Sequence, residues 1–310
     1  MDNAFGGTAI YENGFNTTNR REAGHFWAIE CAGAADGITH TYSLSTDFWQ
    51  SAAALVKLGI NPFDRPPPPP ACPGTGHRNV RTLTGNGVFA IKEMMRRGMI
   101  VDIDHMSTKA ADATLAIGKT FGYPIVSGHS GIRVAGKDHS DAENSRTPDQ
   151  LQKISELHGM FGLGTAGVHA YDWATEYQKA MKVMGTSYQS GAVSLGTDLN
   201  GFVKGPVMGN EKGARLNRVV YDVASDPNSI PKSKASDSPT SGTIRTWDYN
   251  TEGVAHYGML RDFVVDVKTA PAGVTTGLPG SELVDKHLNR SANYFWLMWQ
   301  RIDAKKGSVQ

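Results

Sequence analysis

The chain has 310 residues, enough for one large domain or two ordinary ones, and its formal charge is +1 with neutral histidines. So balanced a charge gives no electrostatic case for binding nucleic acid or an anionic membrane surface. No apolar run approaches the roughly 20 residues of a membrane span.

The first 60 residues read as largely irregular, with Gly6-Gly7, Asn13-Gly14 and the run from Asn16 to Asn19 as loop signals. No basic stretch followed by an apolar one opens the chain, so the default expectation is a cytoplasmic protein, or an exported one whose leader has been removed. A helix is expected from about Asp47 to Leu58. Pro66 to Pro70 follows as an uninterrupted proline run, an extended polyproline II connector. Cys31 and Cys72 fit no zinc or redox spacing. Two free thiols are the default, and one disulfide is the alternative for an exported protein.

From residue 81 the pattern turns regular. Thr84 to Arg97 carries Val88, Ile91, Met94 and Met95 at helical spacing, and Gly98 ends it. A strand runs to His105. Ser107 or Thr108 caps a second helix through about Lys119, with Gly122 past its end. A second strand runs to His129. Thr147-Pro148-Asp149-Gln150 opens a third helix with a capping box and proline in its first turn. Met160 to Gly164 is a short buried strand. A helix from Asp172 to Met184 and a strand to Asp198 complete the alternation.

A β-α-β-α-β-α-β series with short connections places parallel strands side by side, helices outside, and all carboxyl ends on one face. Residues 225–246 are rich in Ser, Pro, Asp and Lys and read as an inserted loop. Two helices close the chain, from about Val254 to Asp266 and from about Ser281 to Arg301. The second is dense in aromatics (Tyr294, Phe295, Trp296, Trp299), and core packing is their expected role. The domain expectation is one barrel-like unit over 1–310. It comprises an irregular part at 1–80 with the proline connector 66–70, then a βα core at 81–310 with the insert 225–246.

His105, His129 and Asp198 each stand where a short apolar run stops. Chemistry in barrel and open α/β folds sits at that edge of the sheet. Two imidazoles and a carboxylate suffice for one catalytic zinc, which leaves a position for water. A lone strand-end histidine is usually only hydrogen-bonded there. Three candidate ligands in matching positions reverse that presumption.

The same segments carry a resemblance. Gly98 to Ser107, GMIVDIDHMS, resembles the "GM-hydrophobic-D-x-x-H-x-S" segment of the membrane (renal-type) dipeptidases, the M19 peptidases of the amidohydrolase superfamily. PIVSGHSGIR resembles their "PVIxSHS", and SLGTDLNGF their "GxGSDFDG". Arg146-Thr147-Pro148-Asp149 resembles the "R-N-hydrophobic-x-D" that opens the next helix. The four segments stand in family order and the resemblance covers roughly residues 80–300. It implies an α/β fold of the (β/α)8 TIM-barrel type, here with a shortened first half. It also implies a zinc centre that hydrolyses dipeptides or similar small amides.

Carried over by position, His105 and His129 match two histidines on one zinc. Asp198 matches the aspartate that orients and deprotonates the water, and Arg146 an arginine that binds the substrate carboxylate. His256 is a further candidate at the mouth of the barrel. The family's first-strand His-x-Asp or His-x-His is absent, so one zinc is expected rather than two. Glu30 and His40 stand in for a bridging glutamate and a fourth-strand histidine, with His25 and His77 behind them. His40 therefore joins Arg146 and His256 as a substrate-binding candidate. Ester or lactone hydrolysis at the same site is the alternative chemistry, and a non-catalytic binding or structural remnant is the alternative class. A partial barrel leaves sheet edges that need covering by loops or by another subunit in a homo-oligomer.

Overall fold

The computed structural model describes residues 4–9, 20, 23–42, 67–136, 140–166, 168–185, 192–199, 219–236, 240, 242–272 and 277–309. The expected helix from Asp47 to Leu58, and Pro66 of the proline run, lie outside them. The chain divides into two compact units, Met1–Phe161 with Trp296–Gln310, and Gly162–Phe295.

The first unit begins with an antiparallel pair, β1 (Ile29–Cys31) and β2 (His77–Asn79). The helices α1 (Gly85–Arg96), α2 (Thr108–Phe121) and α3 (Pro148–Glu156) then alternate with β3 (Val101–Asp102), β4 (Ile125–Ser130) and β5 (Met160–Gly164). All three helices start on the residues the sequence marks. Thr84 and Ser107 accept the N–H groups of Gly87 and Ala110, satisfying donors that a helix start leaves open. Thr147 and Gln150 close a reciprocal capping box with Pro148 at the first turn. Gly122 ends α2 at φ 57°, where a side chain would be strained.

β3 and β4 pair in parallel, Val101 opposite Ile125 and Asp102 opposite Val126. β5 follows β4 in the same sheet, and β6 (Val193–Gly196) lies in the second unit. The fold is α/β, and the strands described ahead of β3 are the β1–β2 pair. The flank of the β3 turn is covered from the N-terminus. Ala9 donates to the His105 carbonyl at 2.8 Å, and Ser107 donates to Gly7 at 2.9 Å.

The second unit contains β6 and α4 (Ala170–Val183); the Tyr177 hydroxyl donates to the Val193 carbonyl of β6 at 2.8 Å, and Trp173 meets Phe263 edge-on at 5.6 Å. An antiparallel hairpin, β7 (Ser233–Ser236) and β8 (Ile244–Trp247), occupies part of the stretch read as an inserted loop. It is followed by α5 (Tyr249–Glu252) and α6 (Leu260–Lys268). The helix expected from Val254 therefore begins later. Gly253 takes φ 67°, and His256 caps a 3-10 turn, Tyr257–Met259, ahead of α6.

Two further expectations are corrected. Cys31 and Cys72 form a disulfide across 41 residues, with Cα atoms 5.4 Å apart, so neither is a free thiol. The β1–β2 pairing brings the two segments together, which their spacing in sequence does not reveal. The last helix is not one rod and its aromatics are not core. α7 (Gly280–Glu282) runs through a π turn, Leu283–His287, and a 3-10 turn, Leu288–Arg290, into α8 (Ser291–Ala304). α8 buries one narrow stripe, Met298 and Ile302, four residues apart. Phe295, Trp296 and Trp299 fall off that stripe and remain 41%, 60% and 43% exposed.

Candidate metal centre

The apolar run before His105 stops because the chain turns. Met106 donates back to the Ile103 carbonyl at 3.2 Å, and His105 takes φ 60° inside that turn. A non-glycine residue in the left-handed region costs about 1 kcal/mol or more and persists only where neighbours impose it. Asp102 helps impose it: its Oδ1 accepts the Asp104 N–H at 2.9 Å and the Gly128 N–H at 3.4 Å. The turn at the end of β3 is thus pinned to β4.

His105 and His129 meet. Their Nε2 atoms lie 2.8 Å apart and their ring centroids 4.9 Å apart. His129 Nδ1 lies 3.0 Å from Asp104 Oδ2. A carboxylate accepts, so Nδ1 carries the hydrogen, and in the neutral ring Nε2 then presents a lone pair. The 2.8 Å contact is then closed by a hydrogen on His105 Nε2. That arrangement suits a cation: one that replaces the hydrogen finds two imidazole nitrogens aimed at the same point. Tetrahedral zinc, with bonds of about 2.0–2.1 Å, holds two nitrogen ligands about 3.3 Å apart, so a small parting of the rings suffices. The donor set fits the metal the resemblance implies.

Two carboxylates complete the local field. Asp102, Asp104 and His129 offer donor atoms that lie within 4.8 Å of one another. Burial alone would push Asp104 up. Hydrogen bonds from the His129 ring, the Ser127 hydroxyl and the His129 N–H outweigh it and hold the carboxyl below its ordinary range. Asp102 has an exposed flank, yet its carboxyl is crowded by protein and faces the Asp104 charge. Those two causes, in that order, raise it to about 6. Both aspartates escape a reading that looks only for the residue where each run stops. Their signal was the spacing Asp102-Ile103-Asp104-His105, two carboxylates inside what reads as a buried strand.

The other expected site residues stand as follows. Asp198 lies just past β6, in the second unit, at φ 46°. Arg146 is fully buried. Its Nη2 donates to the carbonyls of Asn144 (2.8 Å) and Glu143 (3.4 Å), while Nε and Nη1 have no hydrogen-bond partner among the described residues. Burial lowers its pKa, against the pull of Asp104, Glu143, Asp112 and Asp102. Holding a substrate carboxylate would require this guanidinium to be uncovered.

His256 is half-buried. Its Nδ1 accepts the Gly258 N–H at 3.1 Å, and its ring meets Trp247 edge-on at 5.7 Å. His40 packs edge-on against Tyr42, with centroids 4.8 Å apart. Glu30 is engaged by Lys109 and Arg78, and His77 by the Tyr42 N–H and the Pro70 carbonyl. His25 contacts the Ala23 carbonyl through Nδ1. The structure brings His105 and His129 together with Asp102 and Asp104. His40 and His256 have other ring partners.

The family model for membrane dipeptidase, peptidase family M19, matches residues 71–226. Among solved structures, the chain is similar to an amidohydrolase from Pseudomonas aeruginosa at 22% identity and TM-score 0.34, covering 40% of this chain and 37% of that one. A metallo peptidase from Rhodobacter sphaeroides, liganded with a phosphinate mimic of the dipeptide L-Ala-D-Ala, gives 22% identity and TM-score 0.34, with 40% and 36% covered. The probable dipeptidase PvdM from Pseudomonas aeruginosa gives 12% identity and TM-score 0.43, with 72% and 55% covered. The matched part thus spans well under two thirds of each of these proteins. No curated protein matches the chain. Among the described residues, no helix is long and apolar enough to cross a membrane.

Proposed function

Because the chain belongs to the membrane dipeptidase family, peptidase family M19, we propose that it is a metal-dependent hydrolase of dipeptides or similar small amides. The observation that carries this reading is the opposed pair of imidazoles, His105 and His129, with His129 held from behind by Asp104.

His105 and His129 would hold one zinc ion through Nε2. Bound zinc supplies a water acidic enough to attack a carbonyl near neutral pH. The residues of the chain do the rest. The β3 turn fixes His105, and Asp104 fixes the ring of His129. Asp102 adds negative charge that favours a cation. Proton transfer to and from the water is assigned to Asp198, on the resemblance of SLGTDLNGF to the family segment. Arg146 is retained as the substrate-carboxylate candidate on the same ground, with the requirement that it become accessible. No role is assigned to His40 or His256.

The test is the metal content of protein purified without chelator, followed by hydrolysis of a panel of dipeptides and simple esters. The expected result is retention or uptake of one zinc per chain, dipeptide turnover, and loss of both in His129→Ala. Protein that holds no transition metal and regains none from added zinc overturns the reading. Ester turnover without dipeptide turnover overturns the amide part of it.

A further inference from the structure

We propose that Asp104 is a positioning residue for the metal centre, locking His129 in the tautomer that leaves Nε2 open to a metal. The proposal rests on the reading above for what that nitrogen binds.

Asp104 is placed to orient rather than to bind. Its side chain is only 5% exposed. Oδ1 accepts the hydroxyl of the buried Ser127. Oδ2 accepts two donors from one residue, the His129 backbone N–H at 2.5 Å and its ring Nδ1 at 3.0 Å. Both oxygens are already hydrogen-bonded inside the protein, so binding a cation directly would compete with the bonds that hold His129. It clamps His129 at backbone and ring together, so the imidazole cannot swing or exchange its ring hydrogen without losing a charge-assisted bond.

The clamp is itself held. The Asp104 N–H is tied to Asp102 Oδ1, and the turn from Ile103 to Met106 closes behind it. The end of β3 therefore sets the ring angle of a residue on β4. In the family segment quoted above, Asp104 falls on a position left unspecified, so the motif alone assigns it nothing. Metal-ligating histidines are commonly backed by such a carboxylate, and losing it typically costs 10–100-fold in metal affinity.

The test uses the full chain and three variants, Asp104→Ala, Asp104→Asn and His129→Ala. The first readout needs no metal: long-range proton–nitrogen correlation spectra of the imidazoles in metal-free protein. His129, assigned by loss of its signals in His129→Ala, is expected with Nδ1 protonated in the wild type. It should become a mixture of tautomers in Asp104→Ala and return largely to the Nδ1-protonated form in Asp104→Asn, which keeps an acceptor. The second readout is zinc affinity by competition with a chelator. It should fall 10–100-fold in Asp104→Ala and less in Asp104→Asn.

An unchanged tautomer in Asp104→Ala, or an affinity within twofold of the wild type, overturns the proposal. So does near-total loss of zinc with the tautomer unchanged, which would make Asp104 a direct ligand. If the wild type binds no zinc, the hydrolase reading fails, while the spectra still decide whether Asp104 sets the ring.

Discussion

Asp102 gives the sharpest test of the field around the metal centre. Its carboxyl is raised from 3.8 to about 6, chiefly by desolvation and then by the Asp104 charge. A tenfold step in acidity is worth about 1.36 kcal/mol, so the unscreened cost of its charge in the folded state approaches about 3 kcal/mol. The residue is exposed, and solvent screening brings that down to about 1 kcal/mol. The sign follows from linkage. The folded protein keeps this proton up to about pH 6, whereas the unfolded chain releases it near 3.8. Stability contributed by the bound proton is present in acid and is lost as pH rises through the folded value.

Asp102→Asn removes the charge and keeps an oxygen for the Asp104 and Gly128 N–H groups. Metal-free Asp102→Asn should therefore match the wild type near pH 4 and exceed it by about 1 kcal/mol above pH 6.5. Urea unfolding across that pH range measures the difference. The same substitution should weaken zinc binding about fivefold, since the charge that destabilises the metal-free protein favours a cation. A difference independent of pH, or a variant less stable than the wild type at pH 7.5, would refute the electrostatic account.

Other outcomes follow from the surrounding structure. A methyl group on Gly159 would sit 1.8 Å from the Ile125 carbonyl oxygen, so Gly159→Ala must shift the backbone of β4; a loss of about 3 kcal/mol is expected in thermal unfolding. Removing the Cys31–Cys72 disulfide as the double serine variant should cost about 4 kcal/mol for a loop of this length, read by denaturant unfolding. Asp198→Asn should keep zinc within a few-fold and lose most dipeptide turnover, since proton transfer contributes about 10²–10⁴-fold. Stoichiometric zinc with unchanged turnover would remove Asp198 from the chemistry.

How much of this was legible in the sequence divides along physical lines. The starts of α1, α2 and α3 were readable because caps are local: Thr84, Ser107 and Thr147 each satisfy a donor three residues on. The two strands were readable because a short apolar run bounded by helices has few other places to go, although β3 already ends at Asp102 and β4 runs one residue past His129. What failed depended on contacts distant in sequence. The Cys31–Cys72 pairing needs the β1–β2 register, and the exposure of Trp296 needs to be known from which stripe of α8 faces the core.

The site shows the same division, and the division explains its chemistry. Reading the ends of apolar runs selects His105, His129 and Asp198, of which the structure brings the first two together. It passes over Asp104, whose side chain turns back into the protein, and Asp102, which looks like a pleat residue of β3. Yet two imidazoles at the end of two strands are not by themselves a metal site, because each ring can rotate and either nitrogen can carry the hydrogen. Two further features remove those freedoms: a left-handed turn at His105, and a carboxylate that grips His129 at both backbone and ring. Both arise from the four residues Asp102 to His105, where the acidic side chains fold the strand end over and then bind what they have brought near. The ligands were visible as a pattern of residue types, whereas their orientation is a property of the hydrogen bonds between β3 and β4.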